Sequence, residues 1–112
     1  MKNFKAAVAS AFLAGGAVAC IAAMAYAAEH TVGEKGKVFS KSELAVKVGD
    51  TVVFENDDNV AHNVMSNTEG NKFNLGLIKP GSATPVTFKT PGDVKIICAI
   101  HPSMKLTIKV TN

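Results

Sequence analysis

Alternation of apolar and polar residues runs through the chain from residue 43 to its end. In "ELAVKV" Leu44, Val46 and Val48 share one face and Lys47 lies on the other. "TVVFEN" groups Val52 with Phe54, "TPVTFK" groups Val86 with Phe88, and "VKIIC" groups Val94, Ile96 and Cys98. "KLTIKV" puts Leu106, Ile108 and Val110 inward and Lys105, Thr107 and Lys109 outward. A period of two sends successive side chains to opposite faces, so each run predicts a half-buried β-strand. "VAHNVM" predicts a shorter strand. Gly49-Asp50, between the first two runs, predicts a hairpin. "NDDN" (56–59) and "TPGD" (90–93) read as a polar loop and a turn, and residues 66–83, broken by Gly70, Gly76 and Pro80-Gly81, read as loop. No segment after residue 27 keeps an apolar period near 3.6. The expected class is all-β, a sandwich or small barrel of short strands.

The first 27 residues follow another pattern. Lys2 and Lys5 precede an uncharged stretch from Ala6 to Met24 rich in Ala, Val, Leu and Gly, and "AYA" (25–27) follows it. A basic start, an apolar centre and a small-x-small ending define a secretory signal peptide. The expected plan is a signal over 1–27 and one domain over 28–112, exported to the periplasm and free of the membrane after cleavage near Ala27. A retained anchor would need about 20 strongly apolar residues, and Ala and Gly gain little from lipid. Cys20 in "AVAC" faintly resembles a lipoprotein signal, but "IAAMAYAA" after it stays hydrophobic where a tether turns polar.

Export changes the charge and the cysteine count. The full chain carries +3, and losing Lys2 and Lys5 leaves +1. There is no Arg and no run of Lys, which excludes a nucleic-acid footprint. Of the two cysteines, Cys20 departs with the signal and Cys98 remains alone. No internal disulfide can form, and an unpaired thiol in an oxidising compartment needs burial or a metal. So small a domain has a thin core, and a bound metal would add stability.

"CAIHPSM" spaces Cys98, His101 and Met104 three apart, directly after an inward-alternating strand. Pro102 fixes its own backbone angle and donates no hydrogen bond, which stiffens the loop. Thiolate and thioether are soft donors and imidazole is borderline. Two His, one Cys and a distant Met make the blue-copper set. The second histidine is His62, after the polar loop; His30, close to the new N-terminus where chains fray, is assigned to the surface. Zinc is the chemical rival, but structural zinc sites use Cys and His without Met. Taken singly, each of these residues is an ordinary core or surface residue; taken together they define a site.

These motifs carry a resemblance. C-x-x-H-x-x-M, with "HN" about 35 residues upstream and "VKVGDTVVFEND" before it, resembles the cupredoxins from Phe39 to Val110. The loop spacing and its His-Pro are closest to the amicyanins, and plastocyanins and pseudoazurins have longer loops. The resemblance implies a Greek-key β-sandwich holding one copper ion on His62, Cys98, His101 and Met104. It also implies that Asn63 ties the two ligand segments by hydrogen bonds. Two positions depart from the pattern: Ile96 stands where an aromatic is frequent, and Leu106 where a Gly is common.

The function expected is one-electron transport by Cu(I)/Cu(II), with no enzymatic activity of the chain's own. Electrons would pass through the His101 edge, in an apolar patch drawn from Ala61, Pro102, Leu75 and Leu77. The expected partners are transient redox proteins, such as a c-type cytochrome or a periplasmic dehydrogenase, meeting a monomer. The alternatives are a protein for copper tolerance or delivery, which would favour extra Met- or His-rich segments, and a metal-free adhesive sandwich, which would not export a lone thiol.

Overall fold

The computed structural model describes residues 26–112, and residues 1–25, with Cys20 and most of the expected signal, lie outside them. The described residues form nine strands: β1 (Glu29–Lys35), β2 (Val38–Phe39), β3 (Glu43–Lys47), β4 (Thr51–Asn56), β5 (His62–Ser66), β6 (Phe73–Ile78), β7 (Ala83–Thr87), β8 (Gly92–Ile97) and β9 (Lys105–Thr111). They build a Greek-key β-sandwich of two sheets, ordered β2-β1-β4-β7 and β3-β9-β8-β5-β6. Among these residues no helix is long and apolar enough to cross a membrane.

The alternating runs supply the core. Val32, Val52 and Phe54 from one sheet face Val94, Ile96, Ile108 and Val110 from the other, all buried. Each such side chain contributes roughly 1.5–3 kcal/mol on burial. Leu44 is half-buried, and Val48 is 38% exposed rather than inward.

The hairpin expected at Gly49-Asp50 is not formed. β3 runs parallel to β9, while β4 runs parallel to β1 in the other sheet. Gly49, with φ at 96°, turns the chain from one sheet to the other, and its N–H donates to Phe88 O at 2.8 Å. The true tight hairpin joins β1 to β2 through Gly36-Lys37, whose φ values of 65° and 62° give the twist such a turn needs. The segment 66–83 also differs from expectation, because it contains β6. As an edge strand, β6 carries Asn74 and Gly76 outward, and those residues imitate turn punctuation.

The two departures from the family pattern meet in space. Ile96 and Leu106 are directly opposed in the β8–β9 register, and both are buried. A frequent aromatic opposite a common glycine is here exchanged for two mid-sized aliphatics, which keeps the volume between the sheets. The last strand therefore leaves the ligand loop in regular register.

Strand direction decides where the loops gather. β1 and β4 end, and β5 and β9 begin, at the same pole of the sandwich. That pole collects the turn at 36–37, the loop at 57–61 and the loop at 98–104.

Candidate metal centre

His62 opens β5 and is fully buried. Cys98 follows β8 immediately, also fully buried. His101 lies three residues on, half-buried. The loop closes by two backbone bonds, His101 N to Cys98 O at 3.2 Å and Met104 N to His101 O at 2.9 Å. Pro102 sits exposed inside this turn, and Met104 returns inward at 1% exposure just before β9. One donor atom each from His62, Cys98 and His101 lies within 4.8 Å of the others; among the described residues no other such cluster of His, Cys, Asp and Glu occurs.

The ring nitrogens show what this cluster awaits. His62 Nδ1 and His101 Nδ1 are 3.1 Å apart, and Cys98 Sγ lies 3.8 Å from His101 Nδ1. Donors around one ion, at bond lengths of about 2.0–2.3 Å, stand roughly 3–4 Å from one another. The other nitrogen of His62, Nε2, is 2.9 Å from Asp58 Oδ2. The His62 hydrogen bond is the largest cause holding the Asp58 carboxyl at about 2, with the Asn59 N–H next. An ionised carboxylate only accepts, so Nε2 carries the proton and Nδ1 turns its lone pair toward Cys98 and His101.

Asn63 spans the two ligand segments. Its backbone N–H donates to Cys98 Sγ at 3.2 Å, and its side-chain Oδ1 accepts from Ala99 N at 2.9 Å. Its Nδ2 is held by Asn74 Oδ1 and Gly76 O, both at 2.9 Å. The N–H is thus aimed at the sulfur, whose thiolate form is the one that binds metal.

Sequence reasoning missed Asp58 and the scaffold behind it. Buried Asn56 donates to Val60 O and Ile78 O at 2.8 Å each, and its Oδ1 accepts from Asp58 N at 2.9 Å. Lys37 N adds a bond to Asp58 Oδ2 at 3.3 Å, which ties the β1–β2 turn to the loop. The one available signal was a carboxylate four residues before the histidine. Asp58→Asn is expected to weaken copper binding about 10- to 100-fold. It should also raise the reduction potential, because a negative charge beside the ring favours Cu(II). Competition with a chelator and redox titration read the two effects; an unchanged affinity and potential would leave Asp58 a mere loop residue.

A Greek-key sandwich with two imidazoles, a thiol and a thioether gathered at one pole defines a cupredoxin-type metal centre. Comparison with known proteins agrees. The model of the family "Copper binding proteins, plastocyanin/azurin family" matches residues 26–111. The chain belongs to that family. It is 30% identical to chloroplastic plastocyanin of Fritillaria agrestis, over 97% of this chain and 74% of the relative. A point mutant of amicyanin, in its reduced Cu(I) form at pH 4, superposes with a TM-score of 0.69 at 29% identity, covering 80% of this chain and 87% of that one. The Cu-containing nitrite reductase of Thermus scotoductus SA-01 gives a TM-score of 0.70 at 30% identity, but the match covers 75% of this chain and only 22% of the reductase. The donor set and the family both specify a single copper ion as cofactor.

Proposed function

We propose that this protein is an exported one-electron carrier, in which His62, Cys98, His101 and Met104 would hold the copper ion. The observation that carries the reading is the convergence of His62 Nδ1, Cys98 Sγ and His101 Nδ1 within 4.8 Å. Copper bound there supplies the Cu(II)/Cu(I) couple. The residues hold the donor atoms in place before and after transfer. Asp58 orients His62, Asn63 pins Cys98 to the other segment, and Pro102 limits the turn carrying His101.

His101 is the half-exposed ligand, so its ring edge is the exit for the electron. Pro102 and Ile100, exposed beside it in the chain, the latter at 49%, share its pole with Leu77, 66% exposed and opposite Asn63 in the β5–β6 register, and with Val60 at 39% and half-buried Ala61, which precede His62. Leu75, half-buried and packed against the core, contributes less than its sequence position implied. A small apolar face suits brief encounters with a redox partner such as a c-type cytochrome or a periplasmic dehydrogenase. The signal over 1–27 places the monomeric domain in the periplasm under this reading. As a carrier, the protein would only relay the electron, and the chemistry rests with the partners. Copper tolerance or delivery remains the second role, and the buried, pre-shaped donors favour transport of electrons over it.

The copper-loaded domain is expected to be intensely blue, with the EPR signature of a thiolate-bound Cu(II). A colourless protein that binds only Cu(I) would end the carrier reading. Met104→Gln should lower the reduction potential while the blue band survives, because the axial ligand tunes the couple. Cyclic voltammetry reads this directly, and an unchanged potential would remove Met104 from the set of residues that hold the metal.

A further inference from the structure

The pole opposite the copper centre holds a second convergence of donors. β1 starts there, with Glu29 beside Thr51, and reaches the copper pole only at Glu34 beside Asn56. Ala28 N donates to Asp50 Oδ1 at 2.9 Å, and His30 Nε2 meets Asp50 Oδ2 at 2.9 Å. His30 is therefore no frayed surface residue: it lies in β1, with its side chain 25% exposed. Asp50 is buried and also accepts from Lys47 N at 2.9 Å. A carboxylate accepts, so Nε2 of His30 carries the proton and Nδ1 keeps a free lone pair.

Removal of residues 1–27, the processing reading on which this rests, makes Ala28-Glu29-His30 the first three residues. A free amine, two backbone nitrogens and the Nδ1 of a histidine in third place can close three fused chelate rings in one plane. Tetragonal nitrogen donation is what Cu(II) and Ni(II) select, whereas Cu(I) prefers soft donors. We infer that the mature N-terminus is a second metal site, specific for Cu(II) over Cu(I), built from Ala28 N, the backbone nitrogens of Glu29 and His30, and His30 Nδ1.

Asp50 keeps the role seen in the structure, bracing the ring from Nε2, as carboxylates do behind ligating histidines. Binding releases three protons, one from the Ala28 ammonium and one from each of the two amides, and the ion stays Cu(II). Ala28 N leaves Asp50 Oδ1, the Thr51 N to Ala28 O bond of 3.0 Å opens, and so do the Glu29–Thr51 and His30–Val52 pairs. Those pairs are the first of the strand, where opening costs least, and β1 stays paired from Thr31 onwards.

The test uses the full chain expressed in an exporting host. Intact mass and N-terminal sequencing establish where the mature protein begins. The protein, loaded with one equivalent of copper, is then titrated with aqueous Cu(II) and followed by visible and EPR spectroscopy. A start at Ala28 and uptake of a second equivalent are expected, with a weak violet band and a second, tetragonal EPR signal beside the blue one. His30→Ala, and a chain with one glycine inserted before Ala28, should each take up a single equivalent and stay blue. A start at Ala28 with only one equivalent bound overturns the second site and leaves the processing reading standing. A start elsewhere overturns both. A second equivalent that survives in both variants puts the ion elsewhere and overturns the assignment.

Discussion

Cys98→Ser is expected to erase the blue absorption of the copper-loaded protein completely. The band arises from charge transfer out of the thiolate, and a hydroxyl oxygen offers no comparable soft donor. The fold should survive. Cys98 is fully buried, serine is nearly its shape, and Ser Oγ can accept the Asn63 N–H that now reaches Sγ at 3.2 Å. The loss then shows in the coupling between metal and stability. A ligand that binds only the folded state adds about 4.1 kcal/mol at a free concentration a thousandfold above its Kd. For a domain of this size that is roughly 16–33 °C in Tm. The wild-type protein should gain a rise of that order on adding copper, and the variant almost none. Melting curves with and without copper, beside the visible spectrum, make the comparison. A variant that keeps the band, or the same copper-induced rise, would exclude Cys98 from the metal.

The metal-free proteins provide the control. With the Asn63 bond kept, their melting temperatures should differ by only a few degrees. A large loss in the metal-free state would point to packing rather than ligation. The same logic separates Asp58 from Cys98: Asp58→Asn weakens the hold on copper but leaves the thiolate and its colour. Loss of colour thus marks Cys98, and a shift in affinity and potential with the colour kept marks Asp58.

Much of this was legible in the chain itself. Period-two runs revealed β3, β4, β7, β8 and β9, because one face of each meets the core and the other meets water. The loop C-x-x-H-x-x-M was legible because its three donors are close in sequence. His62 needed a choice between two histidines, and the choice rested on its place after a polar loop. Less visible were features set by pairing between distant segments. Parallel pairing of β3 with β9 and of β4 with β1 turned the expected hairpin into a crossing between sheets. β6 lay hidden because an edge strand tolerates Asn74 and Gly76. Asp58 and Asn56 were silent because short polar loops are rich in such residues, and only the fold shows which of them reaches a ring nitrogen. His30 was misjudged for a related reason: its anchor, Asp50, is twenty residues away.

The two poles also bear on the choice of function. The buried centre at one end selects for a thiolate-bound ion that changes oxidation state in place. The Ala28-Glu29-His30 set inferred at the other end would take the oxidised ion alone. A protein with both would carry electrons through the first and hold Cu(II) at the second. The second role then concerns the supply of copper rather than its redox cycling, and N-terminal variants can remove it without touching His62 or Cys98.

Glu34→Met is expected to stabilise the protein, and to do so mainly at neutral and alkaline pH. Glu34 points inward from β1 beside Val32, fully buried, and neither carboxylate oxygen has a hydrogen-bond partner among the described residues. Burial, and secondarily the charge of Asp57, push its pKa up from 4.5 to about 7. The folded state therefore keeps a proton that the unfolded chain has already released. Between about 4.5 and about 7 the folded state binds more protons, so stability from this group falls as pH rises through that window. It is fully present below the window and lost above it, where the carboxylate is charged and unpaired. A methionine fills similar space without a polar atom, which should add roughly 1–3 kcal/mol at pH 8 and much less at pH 4. Glu34→Gln separates the two causes, since it removes the charge but leaves a buried polar group. Its gain should be smaller, and its stability should lose the Glu34 share of the pH slope. Urea unfolding of the metal-free proteins across pH 4–8 measures all three. If wild type minus Glu34→Gln shows no change between pH 4.5 and 7, then Glu34 does not hold its proton in the folded state. The Glu34 backbone carbonyl, which accepts from Asp57 N at 2.9 Å, is untouched by either substitution. The loop carrying Asp58 should therefore keep its place, and the blue spectrum of both variants should match the wild type.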